Sequence, residues 1–140
     1  MATRQSTQVS DAGVQPKALR VGLVAETAIY SVGAGLSLST GDVIQMIKVA
    51  KGASLVYLEV SGGSGDALIS VGDGDSTARY IAAGSMGSAS SVVRTITLHA
   101  NMVPYVYSVD DTIDLTVGTV SVGTITGGFH MKAIFSMDSN

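Results

Sequence analysis

Asp111–Phe135 reads DTIDLTVGTVSVGTITGGFHMKAIF. Over its first turn of chain, Ile113, Leu115 and Val117 alternate with Thr112, Asp114 and Thr116. A period of two is that of a strand with one covered face, and it points Asp114 outward. Val120 and Val122 carry the strand up to Gly123, where a bulge or bend is expected. Beyond Gly127-Gly128, the residues Phe129, Met131, Ala133, Phe135 and Met137 share one parity, and His130, Lys132 and Ser136 the other. The whole stretch reads as β structure.

Working outward, the same period recurs. In Leu19–Ile29 one parity carries Leu19, Val21, Leu23, Ala25 and Ile29; the other carries Arg20, Gly22, Glu26 and Tyr30, with Val24 and Ala28 as exceptions. The first parity is the expected inner face. Asp42–Ala50 (DVIQMIKVA) and Ala53–Ser61 (ASLVYLEVS) are apolar at nearly every position and are separated by Lys51-Gly52. They read as a hairpin whose faces are both covered, or one of which meets a partner. Ser61–Asp66 (SGGSGD) reads as a flexible turn, Ala67–Gly72 as a short strand, Gly72–Ser76 as a tight loop and Thr77–Ala82 as another strand. Gly84–Ser91 is low in complexity and reads as a mobile loop. Val92–His99 alternates, with Arg94 on the apolar parity, and Asn101–Pro104 turns into Tyr105–Val109. About eight to ten short strands with Gly-rich turns and no internal repeat define an all-β chain. The expectation is a jelly-roll-like antiparallel β-sandwich with an extended N-terminal arm.

Composition agrees. The chain has 140 residues and 14.2 kDa, the size of one domain. Charged residues are 14% of it, against roughly 25% in ordinary soluble proteins. Val, Ile and Thr supply 39 of the 140 residues and Gly 17, which argues against a helical bundle. Low charge with high hydropathy argues against disorder. A net charge of −3 argues against holding nucleic acid by phosphate neutralisation. The absence of Cys excludes disulfides, thiolate metal sites and a cysteine nucleophile. Residues 1–16 are polar, lack the apolar core of a secretory signal, and end at Pro16; they read as an extended arm before a single domain at 17–140. No apolar run suits a membrane helix, and the lack of Cys fits synthesis in the cytoplasm.

Chemistry-bearing patterns are sparse. There is no nucleophile elbow, phosphate loop or zinc helix. His99 and His130 stand on polar parities without a third ligand nearby. Asp73, Asp75 and Thr77 have a calcium-like spacing but no later bidentate Glu, so a turn capped by Asp is preferred. Asp110, Asp111 and Asp114 suit a solvated edge or a contact for a partner's basic residues. The tyrosines Tyr30, Tyr57, Tyr80, Tyr105 and Tyr107 suit core and interface packing. No catalytic, metal or cofactor-binding set is expected, and no cofactor.

Three stretches together carry a resemblance: Gly41–Val60 (GDVIQMIKVAKGASLVYLEV), Leu68–Gly84 (LISVGDGDSTARYIAAG) and Asp111–Phe135. The chain resembles the jelly-roll capsid cement, or decoration, proteins of tailed bacteriophages, such as that of a short-tailed Bordetella phage. The resemblance implies a virion protein on the outer surface of the capsid. It would bridge subunits of the major capsid protein and associate with itself as a homodimer or trimer. Low charge and the doubly apolar Asp42–Ser61 region suit a permanent interface. The candidate interface residues are Val43, Ile44, Met46, Ile47, Leu55, Tyr57, Arg79, Tyr80, Arg94, Asp110 and Asp111. The polar arm could add a strand to a neighbouring subunit. The alternatives are another virion β domain of tail, neck or fibre, a receptor- or glycan-binding module using Tyr105 and Tyr107, and a hydrolase using the Asp110–Asp114 cluster with a histidine.

Overall fold

The computed structural model describes residues 2–6, 9, 22–31, 37–85, 94–97 and 105–137. Seven strands lie among them: β1 (Thr3–Gln5), β2 (Gly22–Ser31), β3 (Val43–Val49), β4 (Ala53–Gly72), β5 (Ile81–Ser85), β6 (Arg94–Thr97) and β7 (Asp111–Met137).

Two long strands organise the rest. β4 and β7 form one antiparallel ribbon, paired from Ala53 with Met137 to Gly72 with Asp114. β2 lines the last part of β7, from Ser31 with Gly128 to Gly22 with Met137, and β6 lines the first part of β4. β3 lines the first part of β7, from Val49 with Asp111 to Val43 with Thr116, and β5 lines the end of β4. Each half of the ribbon is therefore the centre of its own sheet, β1-β3-β7-β4-β5 at one end and β2-β7-β4-β6 at the other. The register shifts crowd between Gly62 and Ile69, where the ribbon passes from one sheet to the other. At that bend Gly62 has φ +106°, and a Cβ there would lie 2.0 Å from the carbonyl oxygen of Gly128, so only glycine fits.

The inner faces close over one core. Ile44, Val71, Ile113 and Leu115 come from one half, and Leu55, Leu58, Phe129, Met131 and Phe135 from the other. Each such side chain contributes roughly 1.5–3 kcal/mol by leaving water. The result is an all-β, jelly-roll-like sandwich, antiparallel throughout except that β1 runs parallel to β3.

The period in Asp111–Met137 translates directly into burial: Ile113, Leu115, Val117, Phe129, Met131, Ala133, Phe135 and Met137 are all buried. Gly123 lies within the register shift between Val122 and Thr126. Elsewhere the structure corrects the reading. In β2 the inner face is Val24, Ala28 and Tyr30, opposite Phe135, Met131 and Phe129, while Leu23 is 72% exposed. β3 and β4 are joined by the turn at Lys51-Gly52 but both pair with β7 rather than with each other. Residues 61–72 are not a turn and a short strand but the continuation of β4. Residues 77–80 are turns and bends, with β5 beginning only at Ile81. In Tyr105–Val109 a single bridge, Val106 to Ser54, replaces the expected strand. The low-complexity loop beyond Ser85, Leu19–Val21 and His99 lie outside the described residues.

Candidate interface surfaces

The doubly apolar Asp42–Ser61 region owes its pattern to two bulges. β3 shifts register between Gln45 and Ile47, and β4 between Leu55 and Tyr57. An extra residue reverses the parity of everything beyond it. Met46 and Ile47 are consequently both buried, and Leu55 and Leu58 are both buried with the exposed Val56 as the inserted residue. Ile44, Met46, Ile47 and Leu55 thus belong to the domain's own core and present nothing to a partner in this fold. Val43 and Tyr57 are half-buried, and the Tyr57 hydroxyl donates to Glu59 Oε2 at 2.8 Å. Arg94 pairs with Val60 across the β4–β6 ladder.

The other candidates gather at one end of the sandwich. The loop from Asp73 to Tyr80 folds back over the end of β4, where a Cβ on Gly72 would lie 1.8 Å from the Ser76 carbonyl oxygen. Asp73 caps this loop: its Oδ1 accepts from the Asp75 and Ser76 amides, at 3.2 and 2.9 Å. Its Oδ2 pairs with Arg79 Nε, with the carboxylate fully buried. Both carboxylate oxygens are thereby occupied within the chain. The Arg79 guanidinium stacks over the Tyr105 ring at 3.7 Å from its centroid, and its charged form is favoured chiefly by the bond to Asp73. Tyr105 in turn meets Tyr107 edge-on at 5.1 Å between centroids. Tyr107 is buried, and its hydroxyl lies 2.6 Å from that of Tyr80.

Backbone bonds tie this segment to the neighbouring turn. Gly52 N donates to the Tyr107 carbonyl at 2.7 Å, and Tyr107 N to the Ala53 carbonyl at 3.0 Å. Asp110 Oδ1 accepts from Lys51 N, and Asp111 Oδ1 from its neighbour Thr112 N, both at 2.8 Å. Asp114 is not outward-facing as its parity suggests but only 6% exposed, standing between Gln45 and Gly72 in the ladder. Burial, with Asp111 and Asp73 nearby, pushes its carboxyl up to about 6. Its Oδ1 has no hydrogen-bond partner.

These bonds knit the rim together. Asp111 and Asp73 lie near Asp114, Asp110 accepts from Lys51 N, and His130 is exposed on β7. Among the described residues no group of three His, Cys, Asp or Glu comes together to hold a metal ion. Tyr107 is buried and Tyr105 lies beneath Arg79, so the two do not form an open stacking platform. Outward on the same segment stand Val106 and Val109, 56% and 62% exposed.

Sequence reasoning missed the Asp73–Arg79–Tyr105 stack and the role of Asp42 described below. The available signal was an Asp directly after a strand, followed by a basic residue six positions on.

No family model matches the sequence, and no curated protein matches it. Solved structures do. The fold is shared with chains of phage capsids. A chain from the capsid of Ralstonia phage GP4 matches with a TM-score of 0.71 over 99% of both chains, at 13% identity. One from the capsid asymmetric unit of cyanophage Pam1 matches with a TM-score of 0.62 over 83% of this chain and 86% of that one, at 16% identity. One from the acid-stable capsid of Helicobacter pylori bacteriophage KHP30 matches with a TM-score of 0.58, covering 84% and 90%, at 13% identity.

Proposed function

We propose that this protein is a structural virion component that binds the outer surface of a phage capsid and bridges major capsid subunits, as a cement protein does. The observation that carries the reading is the end-to-end fold match to a chain of the Ralstonia phage GP4 capsid. Two features support it. Asp73, Arg79 and Asp110 make internal bonds that stiffen the loops, which suits a spacer held under pressure. The loop end also presents Val106 and Val109 beside Asp110 and Asp111, an apolar centre with a charged edge. Val43, Tyr57, Arg79, Tyr80, Arg94, Asp110 and Asp111 are the remaining interface candidates, with self-association as a homodimer or trimer. Repetition over a shell would turn modest single contacts into firm attachment.

The test is to add purified protein to expanded capsids that lack it. Density on the outer shell and DNA release at a higher temperature are expected. Density at the tail or neck alone, or no binding, overturns the reading.

A further inference from the structure

The arm's first residues occupy a prepared seat on the β3 edge. Thr3, Arg4 and Gln5 pair in parallel with Val43, Ile44 and Gln45. Val43 N donates to the Ala2 carbonyl and Ser6 N to the Gln45 carbonyl, both at 2.8 Å. Ser6 Oγ donates to the Met46 carbonyl. Asp42 anchors the end: Oδ1 accepts from Ala2 N at 2.9 Å, and Oδ2 pairs with Arg4 Nη2 at 3.5 Å. Arg4 also donates to the Ser37 carbonyl at 3.2 Å.

The seat is built without the arm. Asp42 Oδ2 accepts from Ser39 N at 3.0 Å, Asp42 N donates to the Ser39 carbonyl, and the Asp42 carbonyl accepts from Val117 N at 2.8 Å. The occupant is short, and its buried part is Ser6 with Val9, whose amide donates to Ser6 Oγ at 3.3 Å. Thr3 and Gln5 are exposed, and β1 is three residues long. Fifteen residues separate Ser6 from β2. Such a connection can reach roughly 50 Å when extended, while a domain of this size has a radius of gyration of about 14 Å. The arm is thus long enough to reach the seat of an adjacent molecule, where it would make the same bonds.

We propose that the β3 edge and Asp42 accept residues 2–6 of a second copy of this chain, so that β1 is exchanged between copies. Identical contacts make such an exchange cheap, and local concentration decides it. An empty seat would leave the Val43 amide and the Gln45 and Met46 carbonyls as an open sheet edge.

The chain has no native Cys, so introduced thiols report cleanly. Gln5 and Gln45 face each other, with side-chain atoms 3.3 Å apart. Gln5→Cys and Gln45→Cys are purified separately, mixed at high concentration, co-refolded and oxidised gently. Exchange predicts a disulfide joining positions 5 and 45 of different chains, in a species of twice the 14.2 kDa mass. Adding Asp42→Ala to the Gln45→Cys chain should cut its yield about tenfold. If the mixture stays unlinked while the double variant closes within single chains at every concentration, the proposal fails. Wild-type light scattering gives a thiol-free check: an oligomer that Asp42→Ala shifts to monomer supports exchange, and an unshifted distribution overturns it. Neither measurement involves capsids, so the outcome stands apart from the cement reading.

Discussion

The Tyr80 and Tyr107 hydroxyls lie 2.6 Å apart and join the loop after β4 to the segment before β7. The two positions are 27 residues apart in the chain. Burial raises the ionisation of both phenols, Tyr80 to about 12 and Tyr107 further still. Ultraviolet titration should therefore show two tyrosines that do not ionise until alkaline unfolding. Tyr107→Phe should cost about 1 kcal/mol in urea melts and move the ionisation of Tyr80 further up, because burial remains and the Tyr107 hydroxyl that favours the phenolate is gone. Five normally titrating tyrosines in the wild type would contradict the contact.

Asp73 holds the same loop from inside. Asp73→Ala removes a buried charge partner of Arg79 and the acceptor of two amides, at a cost of about 2–4 kcal/mol. Asp73→Asn keeps an acceptor oxygen for the amides and should fall between that variant and wild type. Hydrogen exchange at the Asp75 and Ser76 amides reads the difference. Equal exchange in all three proteins would show that the carboxylate does not order the loop.

Asp114 and Asp42 give opposite responses to pH. The Asp114 pKa is raised to about 6, chiefly by burial, from roughly 3.9 in an unfolded chain. Between pH ~4 and ~6 the folded state alone holds this proton, so stability falls as pH rises through that window, by about 2 kcal/mol. Asp114→Asn should remove the fall. The Asp42 carboxyl is held below its usual range, first by the Ser39 amide and then by Ala2 and Arg4. Its contribution is present above pH ~4 and is lost as pH falls through the lowered pKa. Urea melts from pH 3 to 7 on wild type, Asp114→Asn and Asp42→Asn separate the two arms.

Gly62 and Gly52 make a matched pair. Both have positive φ, +106° and +85°, but only Gly62 has a neighbour where a Cβ would go. Gly52→Ala should cost about 1 kcal/mol from backbone strain alone. Gly62→Ala adds the clash with Gly128 and should cost about 2–4 kcal/mol, because the bend of the ribbon has to move. Similar melting temperatures for the two variants would place the bend elsewhere.

The sequence by itself determined the β class and the inner face of β7. Alternation around Ile113–Val117 and Phe129–Met137 marks one apolar side, and that side is buried, although Asp114 on the other parity is covered as well. It also carried the capping role of Asp73, since an Asp in a Gly-rich turn bonds the amides just ahead of it. Tertiary structure decided the rest. In β2 two apolar parities compete, and only pairing with Phe129, Met131 and Phe135 turns Val24, Ala28 and Tyr30 inward. In β3 and β4 a bulge adds one residue and reverses the parity beyond it, so core residues read as a partner-facing surface. Local periodicity has no term for either effect. Nor does it show that residues 61–67 continue β4, because a glycine-rich stretch can be a turn or a bent strand, and the long partner β7 decides which.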